Sequence, residues 1–147
     1  MQILRCGSDA ANVRELVSLS ESAGLPALFL SVSAASKMTG AEIEFAFYLA
    51  EESFKSNGNL SGKKTNEALL FLACETNFSS AARKIGAADP SDFVLALKEK
   101  VSPKKLQKAL KLVRAEEMRL PKWGKKKGDY TQGELAIEQM ALARVRN

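Results

Sequence analysis

The sequence predicts a mixed α/β, helix-rich fold, a small sheet packed with about six helices in a single domain spanning 1–147. Three observations predict it. Short apolar or alternating runs at 2–6, 27–32 and 92–97 have the length and composition of strands. Longer segments between them carry helical periodicity and open on capping residues. At 147 residues, with 46% hydrophobic and 27% charged side chains, the chain can bury a core without disulfides or metal.

The elements follow in order. Residues 2–6 alternate weakly and form a strand; Gly7, Ser8 and Asp9 make a turn with a helix cap, and an amphipathic helix runs over 9–23 on Val13, Leu16, Val17 and Leu19. Gly24-Leu25-Pro26 breaks it, and ALFLSV at 27–32 is a buried strand followed by a loop at 33–37. Thr39 and Glu42 form a capping box that starts a helix reaching about Lys55. Ser61 is placed to cap a third helix, with Lys63 and Lys64 in its first turn. Cations there oppose the helix dipole, which favours an outside anion. A polar break at Glu75-Thr76-Asn77 leads, with Thr76 as cap, into a short helix stopped by Gly86. A strand at 92–97 comes next. Ser102-Pro103 opens a helix to Val113 with Leu106, Leu110 and Val113 on one side. Residues 115–130 are poorly periodic and predict a mobile basic loop, with room for a short strand at 118–120. Thr131 and Glu134 form a second capping box for the last helix.

Histidine is absent, and no glycine-rich phosphate loop occurs, which removes histidine-based acid–base and nucleophilic chemistry. Two cysteines, Cys6 and Cys74, suggest reduced thiols of a cytoplasmic protein rather than a metal or disulfide framework. A non-enzyme is expected, with no cofactor and no metal. No apolar run has the roughly 20 residues of a membrane span. The net charge of +5 is unevenly placed: 98–127 holds twelve Lys/Arg against three Glu, whereas 1–62 holds four against seven Asp/Glu. A basic half of this kind is an electrostatic footprint for phosphates, or a solvated lysine face. Within it, Lys122, Trp123, Lys125, Lys126, Lys127 and Tyr130 combine cations with rings able to stack on bases. Trp123 folding back onto the core is the alternative.

Two helices carry more apolar surface than one buried stripe requires. In the first, Ile43, Phe47, Ala50 and Phe54 lie on one side; the last helix carries Ile137, Met140, Ala141 and Val145. They are either central in the core or shared with a partner. Weak self-association through them stays open.

The stretch 67–87, EALLFLACETNFSSAARKIGA, reads as helix, break, helix, with Arg83 and Lys84 on the second. One interpretation is a DNA-binding helix-turn-helix regulator using these residues. A second comes from likeness. Glu67-x-Leu69-Leu70 followed by Ala81-Ala82-x-x-Ile85-Gly86 resembles the E-x-L-L…I-x-x-A-I-x-x-x-G segment of the small kinase-binding (PRPK-binding, CGI-type) subunit of the KEOPS/EKC complex. Phe78 stands where that family usually has Ile, Asn77 where it has Gln, and Cys74 where Gly is common. Ile43-x-x-Ala46-x-x-x-Ala50 resembles a family helix, with Glu42 in the place of its His. The likeness covers about 25–147. It implies a non-catalytic subunit that binds the small PRPK-type kinase/ATPase of KEOPS and the 3′ CCA end of tRNA, in support of N6-threonylcarbamoyladenosine formation. On this view Lys37, Lys63, Lys64, Thr76, Asn77, Arg83, Lys84, Trp123 and Lys125–Lys127 are RNA-binding candidates, and the apolar positions of the two helices are partner-binding candidates.

Overall fold

In the computed structural model, which describes residues 1–146 and side chains through Arg144, the elements run β1 (Gln2–Ser8), α1 (Val13–Ser22), β2 (Ala27–Leu30), α2 (Val32–Ala35), α3 (Gly40–Lys55), α4 (Lys64–Ala73), α5 (Phe78–Ile85), β3 (Phe93–Leu97), α6 (Pro103–Leu110), β4 (Leu112–Glu117), β5 (Lys126–Lys127), β6 (Tyr130–Thr131) and α7 (Gln132–Arg146). This is the mixed α/β class predicted, with the helices in the majority. They sort into two compact units: Met1–Ala35 with Gly86–Arg119, and Ser36–Ile85 with Leu120 onward.

The first unit is built on β3, whose FVLAL run is buried at every position. A strand apolar on both faces belongs in the middle of a sheet, and β3 lies between β2 and β1. The order is β2-β3-β1-β4, with every neighbouring pair antiparallel. Strands β1 and β2 are therefore parallel with β3 between them, and β3 and β4 are parallel with β1 between them. Connected through α1 and α6, these are two split β-α-β units, the ferredoxin-like topology. Leu4, Cys6, Phe29, Phe93, Leu95 and Leu97 share one face and pack with Leu16 of α1 and Leu106 and Leu110 of α6. Burial pushes the Cys6 thiol up to about 12, so it behaves as a small apolar group. Gly7 is fixed by space: a Cβ there would stand 2.5 Å from the Ser91 carbonyl oxygen. Asp92 bridges Arg5 and Arg114 at 2.9 and 3.0 Å.

The second unit is helical. Helices α3 and α4 are antiparallel: Ser53, late in α3, donates to Glu67, early in α4, at 2.7 Å. Helix α7 runs alongside α3, because its start meets the start of α3 and its Arg144 reaches Glu67. Glu67 is fully buried and fully bonded. Its carboxylate accepts from Ser53 Oγ, from the backbone N–H of Leu60 (3.1 Å) and Ser61 (3.2 Å), and from Arg144 Nη1 (3.3 Å). Arg144 Nη2 lies 3.2 Å from Oε1 but off the hydrogen-bond axis, so it contributes charge without a second bond. The guanidinium also stacks on Phe71, 4.0 Å from the ring centroid.

Several elements differ from the sequence expectation. Helix α1 starts at Val13, because Asn12 rather than Asp9 caps it, accepting from Glu15 N at 2.9 Å. The loop expected at 33–37 contains α2. Ser61 does not cap α4: that helix begins at Lys64 with no side-chain cap, and the Ser61 N–H is taken by Glu67. Strand β4 replaces the expected end of a helix and part of a loop, since Lys111 adopts φ 54° and terminates α6. Ile43, Phe47, Ala50 and Met140 are buried in the core, so they are not surface docking anchors. Phe54 and Ile137 are half-buried and Ala141 is exposed, while the side chain of Val145 lies outside those described. No helix of the described residues is long and apolar enough to cross a membrane.

Replacing Glu67 with Ala should cost about 3–5 kcal/mol in urea unfolding, because it strands Arg144, Ser53 and two backbone N–H groups. Burial pushes the Glu67 carboxyl up, but the Arg144 and Ser53 bonds, the Arg144 charge and the Leu60 N–H outweigh it and hold it below the usual range. Its contribution is thus complete above the unfolded glutamate value of about 4.3 and is lost as pH falls through the lower folded value. The stability difference between native chain and Glu67→Ala should shrink on acidification below about pH 4; a constant difference would contradict the pairing.

Candidate nucleic-acid interface

Because α4 runs against α3 and α7 runs with it, one end of the helical unit collects the start of α3, the end of α4, the start of α5 and the start of α7. The first free amides of α3 are all taken. Gly40 N donates to Pro121 O and Ala41 N to Lys122 O, both at 3.0 Å, and Glu42 N donates to Thr39 Oγ1 at 3.2 Å. The carbonyls of the basic segment thus cap the helix, with Thr39 and Glu42 completing the capping box that the sequence predicts. Burial pushes the Glu42 carboxyl up.

The basic segment is a hairpin rather than a mobile loop. Strands β5 and β6 pair Lys126 with Thr131 and Lys127 with Tyr130. Gly128, at φ 65°, is the first of the two turn residues, the place where a type II′ hairpin requires glycine. Gln132 N donates to Lys125 O, Gln132 Nε2 to Lys37 O at 2.9 Å, and Gly133 N to Trp123 O at 2.7 Å. A Cβ at Gly133 would stand 3.0 Å from the Trp123 ring and 3.1 Å from the Thr39 hydroxyl. Trp123 is therefore seated at one edge and remains 40% exposed; Tyr130 is 56% exposed. Lys125, Lys126 and Lys127 are exposed on this frame.

On the other side of the same end, α4 stops at Cys74, which adopts φ 56° and ψ 42°. That left-handed conformation suits glycine at a helix stop. Burial pushes the Cys74 thiol up. Lys84 Nζ donates to the last carbonyl of α4, Ala73 O, at 2.7 Å, and lies 3.9 Å from Glu75. Lys84 thus serves as a helix C-terminal cation. Asn77, not Thr76, caps α5: its Oδ1 accepts from Ser80 N at 3.1 Å. Thr76 sits one position too early to meet that amide. Both are exposed, as is Arg83.

Lys37, Thr76, Asn77, Trp123 and Lys125–Lys127 belong to the segments that meet at this end; Lys84, in the last turn of α5, reaches it through its bond to Ala73 O, and its neighbour Arg83 is exposed. Lys63 and Lys64 do not join them. They lie at the opposite end of α4, where Lys64 pairs with Glu51 at 3.1 Å and approaches the Phe54 ring. The sequence marks Phe78 only by resemblance, at a position where the family usually has Ile. The structure leaves it 47% exposed at the first position of α5 beside the Asn77 cap. An aromatic residue in the first turn of a helix that needs only Ala81 and Ile85 for its core is the signal that could have found it.

No family model matches this chain, and no curated protein matches it.

Asn77→Ala should destabilise the chain by about 1 kcal/mol, the usual value of an N-cap, whereas Thr76→Ala should stay within about 0.5 kcal/mol. Denaturant midpoints of the two variants check this; equal losses would return the cap to Thr76.

Proposed function

We propose that the chain, as one PRPK-binding-type domain over 1–147, is a non-catalytic, cytoplasmic tRNA-binding subunit of a KEOPS-like assembly, supporting N6-threonylcarbamoyladenosine formation. The observation that carries the proposal is the convergence of exposed cations and exposed rings at one end of the helical unit: Lys37, Phe78, Trp123, Tyr130 and the Lys125–Lys127 hairpin. Single-stranded nucleic acid is held by that combination, with cations tracking the backbone and rings stacking on bases. The left-handed Cys74 adds support, since it occupies the position where the resembled family commonly has Gly. The 3′ CCA end of tRNA is a single-stranded segment of suitable length for such a surface. The kinase/ATPase partner would meet the flanks of the helices, through half-buried Phe54 and Ile137, exposed Ala141, and the stacked pair Phe45 and Tyr48 on the outer side of α3.

A helix-turn-helix reading of 67–87 is weaker. Ala81 and Ile85 of the would-be recognition helix are buried, and Lys84 is committed to the end of α4.

Binding of intact tRNA and of tRNA lacking its 3′ CCA, compared at fixed ionic strength, tests the proposal. Intact tRNA should bind more tightly, and both affinities should fall with salt. Phe78→Ala should weaken binding of intact tRNA about tenfold, as loss of one base–aromatic stack does, while leaving stability nearly unchanged. Equal affinity for the two RNAs would remove the CCA assignment.

A further inference from the structure

The two edges of the sheet in the first unit are treated differently. Edge strand β2 has four residues, all buried. It is covered by the segment after α5: Gly86 bridges to Leu30, and Ala87 N donates to Phe29 O at 3.0 Å. Edge strand β4 has six residues, of which 113–117 are all exposed. No strand among the described residues pairs with its outer side. Val113 is 64% exposed, more than any other large hydrophobic residue described. Natural sheets commonly blunt an edge with proline, charge, a bulge or a cover; β4 has neither Lys nor Pro, its charges are the mixed set Arg114, Glu116 and Glu117, and its pairing with β1 shifts register at Gly7 and Ser8, beside Val113.

We propose that β4 pairs with β4 of a second copy, antiparallel about a two-fold axis through Ala115, joining the two sheets into one. Symmetry and charge select this register. A two-fold axis perpendicular to a continuous sheet keeps each side chain on its own face, so only residues of the same parity can stand opposite one another. The axis must then pass through a residue. Through Arg114 it sets arginine against arginine, and through Glu116 glutamate against glutamate; like charges directly opposite destabilise a sheet. Through Val113 it leaves Glu116 and Glu117 beyond the strand overlap. Through Ala115 it sets Arg114 opposite Glu116 twice, and Val113 opposite Glu117, using 113–117 of both copies. Arg114 keeps Asp92 on its own copy, 3.0 Å away, which already fixes the guanidinium on that face. One strand pair is smaller than the roughly 1,200 Å² of a stable specific interface, so the dimer should depend on concentration.

Sedimentation equilibrium of the full chain from micromolar to millimolar concentration tests the proposal. A monomer–dimer equilibrium is expected. Glu116→Arg should raise the dimer dissociation constant about tenfold by turning two attractive pairs into repulsive ones. Arg114→Glu combined with Glu116→Arg should recover the dimer, and Val113→Glu, which sets glutamate against Glu117, should weaken it with circular dichroism unchanged. A chain monomeric at every concentration, or a dimer indifferent to both Glu116→Arg and Val113→Glu, overturns the pairing. A folded double variant that fails to recover the dimer overturns the register.

Discussion

A buried carboxylate holds the helical unit together. Glu67 has no exposed surface, and an uncompensated charge there would be untenable. Its partners come from every part of the unit that must be fixed: Ser53 on α3, the N–H groups of Leu60 and Ser61 in the connecting loop, and Arg144 near the end of α7. The loop has no other regular structure to satisfy those amides. The last helix, coming from a distant part of the sequence, is held at its far end by the same group. Helix α4 begins without a side-chain cap because its N-cap residue, Lys63, carries no acceptor, and the glutamate one turn in is turned outward to the preceding loop.

Fixing one end of three helices determines what gathers at the opposite end. With α4 antiparallel to α3 and α7 parallel to it, the carbonyls of Pro121 and Lys122 come to the first amides of α3, and the hairpin beyond them is built on that cap. Gly133 allows Trp123 to sit against Thr39. The basic hairpin is therefore a frame for its side chains. Lysines and rings presented from a paired, anchored backbone lose less entropy on contact with a ligand than the same residues on a free loop. The anchoring also explains why α3 itself offers no amides to a phosphate: its own chain has used them.

Much of the fold was legible where a local rule and the tertiary structure agree. FVLAL reads as a strand, Thr39 with Glu42 as a capping box, and Ser102-Pro103 as a helix start, and each forms as read. The misses share a cause. Strand β4 is exposed at five of six positions, so it has no apolar period to detect, and only its pairing with β1 makes it a strand. The hairpin was hidden by its lysines, although Gly128-Asp129 is a turn signal. Thr76 stands one position ahead of Asn77, which takes the amide, and Ser61 stands two positions ahead of the cap position, where its hydroxyl accepts from Lys63 N instead of from α4. The two apolar helices were correctly seen as carrying more grease than one stripe, but sequence could not divide core from surface. The structure assigns Ile43, Phe47, Ala50 and Met140 to the core and leaves Tyr48 and Leu142 outside.

The central claim is that the end of the helical unit bearing Phe78, Trp123 and the lysine hairpin is the nucleic-acid surface. Backbone amide NMR of isotopically labelled protein titrated with the trinucleotide CCA tests it most directly. The account predicts shifts confined to 37–40, 74–79 and 122–133, with the sheet unit and the Lys63–Lys64 end unchanged. Shifts centred on the sheet unit or on Lys63 and Lys64, or none at all at saturating trinucleotide, would contradict it.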